Sequence, residues 1–366
     1  MEISADIKVS VIMPIYNAGD FLRSALDSVI AQTLREIEII CIDDGSTDNS
    51  LEILKEYQGK DERVRIVTET NAGPALARNN GMRRARGEYI AFLDADDFYE
   101  TEFLEQLYTL AKRDVLDIAI SKYDIYNTRK ARFEASSGAD HSDIFTPGKV
   151  TSKSEYPDII LASTTSSAWN KLFRRGFIED NGLAFLQEVR MYEDVYFVVN
   201  AMSLAERIGK VHRVLIHHRI HSEQSRAKFF GKYYSQVPLV YLRIKEFLMA
   251  NGMFAPLFLS YLNLSASRCY KIFNILSGDA KEHFWNMLHE EYAELLVWQG
   301  KDASDFETVE ICEFAVCVQL YNYDEYKRHK SRGKKFSPTH VKQDVELAKK
   351  KKRFRRFFAK IFGKKK

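Results

Sequence analysis

Four short apolar runs, Val9 to Ile15, Ile37 to Ile42, Val64 to Val67 and Tyr89 to Leu93, are separated by stretches whose apolar residues recur at helical spacing. Runs of this kind are buried on both faces, and their alternation with helices calls for crossovers that lay helices against a parallel sheet. Phe21, Leu22, Ala25, Leu26, Val29 and Ile30 form the first helical stripe, and Leu51, Ile53, Leu54 and Tyr57 the second. Pro74 suits a helix start and Gly87 the position just past an end, which predicts a third helix over 74–86. Phe103, Leu104, Leu107, Tyr108 and Ala111 predict another helix, and Asp117 to Ile125 another strand. The fold class is α/β.

The fourth run leads straight into Asp94-Ala95-Asp96-Asp97. A strand end is rigid, so Asp94 and Asp96 can both face one hard divalent cation that bridges two phosphate oxygens. The other reading is a solvated loop, where Asp is common. Two more loops follow early strands: Pro14-Ile15-Tyr16-Asn17, and Asp43-Asp44-Gly45-Ser46-Thr47-Asp48. Ligands of an open parallel sheet bind beyond its carboxyl ends. Asp44 can accept from a base N–H or a ribose hydroxyl, and Gly45 permits close backbone approach. Ser46 to Asp48 read equally as a turn and helix cap. In the segment Asn71 to Gly81, Arg78 falls roughly one turn into a helix that starts at the same edge. It can brace the carboxylates, contact a nucleotide or form a surface ion pair.

In this order, P-x-Y-N, D-D-G-S-T-D, N-x-G-x-x-x-A-R-N-x-G and D-A-D-D resemble the nucleotide-sugar domain of glycosyltransferase family 2, over roughly residues 8 to 225. The resemblance implies a Rossmann-like nucleotide-sugar domain of the GT-A type. It also implies a nucleoside-diphosphate sugar donor, transfer to a hydroxyl acceptor with inversion, and a metal on the diphosphate. Pro14 and Asp44 would lie around the nucleotide base and ribose, Tyr16, Asn71, Arg78 and Ala95 would belong to the substrate site, and Asp94 and Asp96 would hold Mn²⁺ or Mg²⁺. Tyr192-Glu193-Asp194 resembles the family's acid pair at a helix start, which makes Asp194 the general base and places Glu193 in the substrate site. The same acids would also suit a helix N-terminus on dipole grounds alone.

His217-His218-Arg219-Ile220-His221-Ser222-Glu223-Gln224-Ser225 resembles the family's R-x-H-x-x-S region. Arg219, Ser222 and Ser225 would cover the diphosphate, and His221 would complete the metal shell or touch phosphate. A zinc site here is disfavoured, because strand alternation sends His217, Arg219 and His221 to one face and His218 to the other. Trp169-Asn170-Lys171-Leu172-Phe173 resembles an acceptor-side segment of bacterial members, where Lys171 would contact substrate. Trp169 offers a face to a sugar ring or packs in the core. The Q-x-x-R-W motif of processive synthases is absent, so one sugar per encounter is expected. A nucleotidyltransferase would carry a basic Gly-rich loop after the first strand, yet Pro14 to Asp20 holds no Lys or Arg. A non-catalytic scaffold of the same fold is the remaining alternative.

With 366 residues, 45% of them hydrophobic, the chain suffices for one large core and a smaller region. We expect a catalytic domain over 1–228, a helical region over 229–335 and a basic tail over 336–366. A helix over Glu193 to Ala205 and a strand over Val211 to Ile220 would close the first of these. Asn127 to Tyr156, rich in Ser, Gly, Asp and Lys, reads as an excursion outside the core. No stretch reaches the roughly 20 apolar residues that span a bilayer. The four cysteines lack paired metal-ligand spacing and the start lacks a leader pattern, so a cytoplasmic setting is expected.

Residues 349–366 hold 11 Lys and Arg and no acid, which leaves 43 basic against 51 acidic residues over 1–348, a net −8. Phe354, Phe357, Phe358, Ile361 and Phe362 make one helical stripe there. That pattern suits an interfacial helix on an anionic membrane surface. A nucleic-acid tail would have no need of the stripe, and a solvated basic end is the plainer alternative. An anchor would place the enzyme at the inner face of the cell membrane, working on a saccharide or lipid-linked saccharide acceptor in surface polysaccharide assembly.

Overall fold

The computed structural model describes residues 7–136, 143–220, 232–292, 295 and 305–331. His221, Ser222, Ser225 and the tail lie outside the described residues. The chain divides into two compact units: Met1–Phe229 with Glu246–Leu257, and Phe230–Lys245 with Phe258–Lys366.

In the first unit, β1 (Val9–Ile15), β2 (Ile37–Asp43), β3 (Val64–Thr68) and β4 (Tyr89–Phe92) pair in parallel in the order β3-β2-β1-β4. The helices between them are α1 (Gly19–Ile30), α2 (Ser50–Lys60) and α3 (Pro74–Arg84). After β4 come β5 (Phe98–Tyr99), α4 (Phe103–Arg113), β6 (Ile118–Asn127), β7 (Arg132–Ala135), β8 (Lys171–Arg174), α5 (Arg175–Asp180), α6 (Glu193–Leu204) and β9 (Ile208–Ile220). The sheet continues beyond β4 as β8-β6-β9-β5, with β7 on β6, and this half is mixed. β8 runs antiparallel to β4 and β6, whereas β6 and β9 are parallel. Among the described residues the sheet has nine strands.

Every residue of β2 is buried, including Glu38. Its carboxylate accepts from Ser10 Oγ at 2.7 Å, from the Arg86 N–H at 2.7 Å and from Arg65 Nη1 at 2.7 Å. Burial works against its charge, but these donors outweigh burial and hold the carboxyl below its ordinary value. α3 lies so close to β1 that a Cβ on Gly81 would stand 2.4 Å from Ile12 Cγ2. Its inward residues include Arg78, Asn79 and Asn80 rather than an apolar stripe.

One expectation needs correction. Part of the segment 127–156 belongs to the core: Ile144 and Phe145 are buried, Thr151 Oγ1 donates to Ile144 O at 2.8 Å, and Thr151 bridges Ile208. Two apolar side chains in a polar stretch are enough to fold it inward.

The second unit is helical, with residues 236–245 of α7 (Gln236–Ala250), then α8 (Phe258–Ile275), α9 (Gly278–Glu290), α10 (Val309–Leu320) and α11 (Tyr323–Ser331). Its core is aromatic. Trp285 stacks on Tyr326 at 4.0 Å and meets Phe273 at 5.2 Å and Phe314 at 5.8 Å. Among the described residues no helix is long and apolar enough to cross a membrane.

Candidate active site

The acid turn follows β4. Asp94 Oδ1 accepts from Arg78 Nη2 at 2.6 Å, and the Asp94 side chain is 30% exposed. Asp96 is half-buried, and its carbonyl accepts from Arg219 Nε at 2.7 Å. Asp97 is wholly buried, accepts the Arg219 N–H at 2.8 Å and faces His218 Nδ1 at 3.1 Å. Burial pushes the Asp97 carboxyl up to about 6, against the pull of His218. Asp97 therefore ties the end of β9 to the turn. The sequence reading gave it no such role, because a third acid after a strand looks like a solvated neighbour of the first two.

Arg78 joins this turn to α6. Its Nη1 donates to Glu193 Oε1 at 2.6 Å, so one guanidinium binds two carboxylates far apart in the chain. The guanidinium lies 5.3 Å from the Phe185 ring centre. Burial would favour loss of its proton, but Asp94, Glu193 and Asp194 more than offset that and raise its pKa. Asn79, another residue not singled out from sequence, pins the strap before α6: it donates to Phe185 O at 2.9 Å and accepts from Phe185 N at 2.8 Å. Two adjacent polar residues on the inward face of a helix were the available signal.

Asp194 occupies the first turn of α6, just after Tyr192 in a left-handed conformation with φ 67°. Its Oδ1 accepts the Val195 N–H at 2.8 Å. Burial, then the charges of Glu193 and Asp94, push its carboxyl up to about 7, while Arg78 opposes them. Near neutral pH such a group exchanges a proton readily.

The other two loops form a second cluster. Asp44 is buried and accepts the Ala72 and Gly73 N–H groups, each at 2.8 Å, while Asn71 Nδ2 donates to Asp44 O at 3.0 Å. Asp44 thus holds the Asn71–Gly73 loop. Pro14 is half-buried and Tyr16, just past the end of β1, is 53% exposed, while Ala95 in the acid turn is buried. Asn17 Oδ1 accepts the Thr47 N–H at 2.7 Å, which joins the two loops.

Trp169 is buried in the main core cluster, stacked on His218 at 5.5 Å and edge-on to Tyr123 at 4.7 Å. Lys171 is fully buried, and its ammonium donates to Thr165 O, Ser167 O and Asn170 Oδ1 at 2.7 to 2.8 Å. Burial lowers its pKa well below the ordinary value, against the attraction of Asp194. These bonds account for its three N–H groups. Arg219 lies among the rings of Phe21, Phe98 and Tyr126 at 4.9 to 5.5 Å and donates to Ser24 Oγ at 3.0 Å.

The described geometry therefore gathers Asp94, Asp96, Arg78, Glu193, Asp194 and Arg219 about the acid turn. The model of glycosyl transferase family 2 matches residues 10–182. The chain is 33% identical to EpsH of Bacillus subtilis over 67% of its own length and 70% of that protein. It is 32% identical to the poly(ribitol-phosphate) beta-glucosyltransferase of Bacillus spizizenii over 56% of its length, but spans only 31% of that larger protein. Residues 1–349 of Staphylococcus aureus TarS, solved with UDP, superpose with a TM-score of 0.62 at 20% identity, covering 90% of this chain and 93% of that one. The same portion of TarS has been solved with UDP-GlcNAc. Shared motifs, a GT-A type fold and identity along most of EpsH place this chain in glycosyltransferase family 2.

Proposed function

We propose that the enzyme is an inverting, single-displacement transferase that moves one sugar from a nucleoside-diphosphate donor to a hydroxyl on a saccharide or lipid-linked saccharide. The observation that carries this reading is the Arg78 bridge, which couples the acid turn to the first turn of α6. Donor chemistry and proton transfer thereby share one rigid site. Asp194, with its carboxyl near 7, accepts the acceptor proton as that oxygen attacks the anomeric carbon. The bond from that carbon to the diphosphate breaks, and its electron pair leaves with the nucleoside diphosphate.

The residue types suit a hard divalent cation: Asp94 and Asp96, both half-buried, supply two carboxylates at one strand end. When bound, Mn²⁺ or Mg²⁺ would neutralise charge that develops on the departing diphosphate. Arg78 already occupies one oxygen of Asp94, so it fixes that carboxylate in place. Tyr16, exposed at the end of β1, and the Asp44-anchored loop support a base and ribose pocket. Lys171 acts by holding the Thr165–Ser167 loop, which we assign to the acceptor side. The likeness to a poly(ribitol-phosphate) beta-glucosyltransferase supports a polymer as the acceptor.

The test is a donor screen. Purified protein is incubated with a panel of sugar nucleotides and Mn²⁺, and nucleoside-diphosphate release is followed with and without chelator. Release from a restricted set of donors, abolished by chelator and by Asp194→Asn, is expected. Pyrophosphate formed from a nucleoside triphosphate and a sugar phosphate would instead identify a nucleotidyltransferase. No turnover in either format would favour a scaffold.

A further inference from the structure

We propose that the helical unit carries a separate metal site, made by Glu313, Cys317 and His329, for a borderline-soft divalent cation such as Zn²⁺. Glu313 and Cys317 are four residues apart on α10, so they share one face. α11 sets His329 against that face. Its Nε2 is 3.9 Å from Glu313 Oε1, and one ligating atom from each of the three residues lies within 4.8 Å of the others. Among the described residues no other trio of His, Cys, Asp or Glu converges this closely.

Two features point to a ligand rather than an incidental cluster. His329 Nε2 is shielded from solvent and has no hydrogen-bond partner among the described residues. The ring is held by stacking on Tyr321 at 5.2 Å, so it does not simply lack a fixed position. Lys330 Nζ holds Glu313 Oε2 at 2.7 Å, which leaves Oε1 turned toward the imidazole. A plain Glu313–Lys330 ion pair explains Oε2 but leaves Oε1 3.9 Å from Nε2, too far for a hydrogen bond. Zn²⁺ takes thiolate, imidazole and carboxylate ligands at roughly 2.0 to 2.3 Å, so a modest closure of these side chains would satisfy it. Cys317, 2% exposed, would lose its proton to solvent on binding, and water would supply the fourth ligand past the half-buried Glu313 and His329. Thiolate and imidazole select Zn²⁺ over the Mg²⁺ or Mn²⁺ suited to Asp94 and Asp96. The ion would clamp α11 onto α10.

Co²⁺ is an optical probe for this site, because only a thiolate ligand gives an intense near-ultraviolet charge-transfer band. The full chain, freed of metal and kept reduced, should develop that band with one equivalent of Co²⁺, and Zn²⁺ should bleach it. The double variant Asp94→Asn, Asp96→Asn should keep the band. Cys317→Ser should abolish it, and His329→Gln should weaken Co²⁺ binding about tenfold or more. Zn²⁺ should raise the melting temperature of the natural protein and not of His329→Gln. His329 is half-buried and its replacement is the milder one, so that variant carries the test if Cys317→Ser does not fold. Absence of the band in the natural protein, or full retention of band and affinity in His329→Gln, would overturn the site.

Discussion

Asp194 sits where its ionised form is disfavoured, and that sets a stability cost with a definite sign. Its folded carboxyl titrates at about 7, above the roughly 3.9 of an unfolded Asp. The folded state therefore holds the proton more tightly. The stability this confers is complete below about pH 4 and is lost as pH rises through about 7. Asp194→Asn cannot ionise. It should melt above the natural protein at about pH 8, with a gap that narrows toward about pH 5, while turnover falls by roughly 10²- to 10⁴-fold. A gap that widened on acidification would show that the carboxylate is not disfavoured. The rate of the natural enzyme should rise with pH to a plateau beyond about 7. Arg78 has the opposite character, since its charge answers two others. Arg78→Ala would strand Asp94 and Glu193, and a loss of about 3–5 kcal/mol is expected in urea unfolding. Arg78→Lys, with no planar fork, should recover only part of it.

At the scale of elements, α3 shows how tightly the site depends on helix-to-sheet distance. Gly81→Ala would place a methyl 2.4 Å from Ile12 Cγ2 and should cost roughly 1–3 kcal/mol. Adding Ile12→Ala should recover some of that, a coupling that denaturation of the single and double variants would measure. The same helix shows what was legible in the sequence. Its boundaries came from Pro74 and Gly87, but its buried Arg78, Asn79 and Asn80 carry no apolar periodicity to show which face turns inward. β1, β2 and β4 were plain because their runs are buried almost throughout, and β3, with only Val64 buried, because its short apolar run sits between two helical stripes. β5, β7 and β8 were not, being two to four residues long, and β8 starts on a buried lysine that composition would place in solvent. Of the candidate site, the ordered motifs pointed to Asp94 and Arg78, and the acid pair at the start of α6 to Asp194. What the motifs could not convey is direction: Asp44 spends both oxygens on backbone N–H groups, and Asp97 points inward.

For the whole molecule, charge is unevenly placed, with a net −8 over residues 1–348 and all the excess positive charge in 349–366. An acidic body is repelled by an anionic membrane, so any docking must come from a segment with both charge and apolar surface. The phenylalanine stripe of the tail supplies the second requirement, with roughly 1.5–3 kcal/mol available per fully buried ring. We expect the full chain to co-sediment with anionic vesicles and the chain lacking 349–366 to stay in the supernatant. Phe357→Ala with Phe358→Ala keeps every charge, yet it should weaken vesicle binding markedly. Raising salt from about 0.1 to 1 M should weaken the remainder by screening. If the tail only anchors the enzyme, donor turnover with a small water-soluble acceptor should not change on deletion. Vesicle binding that survives the deletion, or that depends on charge alone, would replace the anchor with a solvated basic end and leave access to a lipid-linked acceptor to another part of the chain.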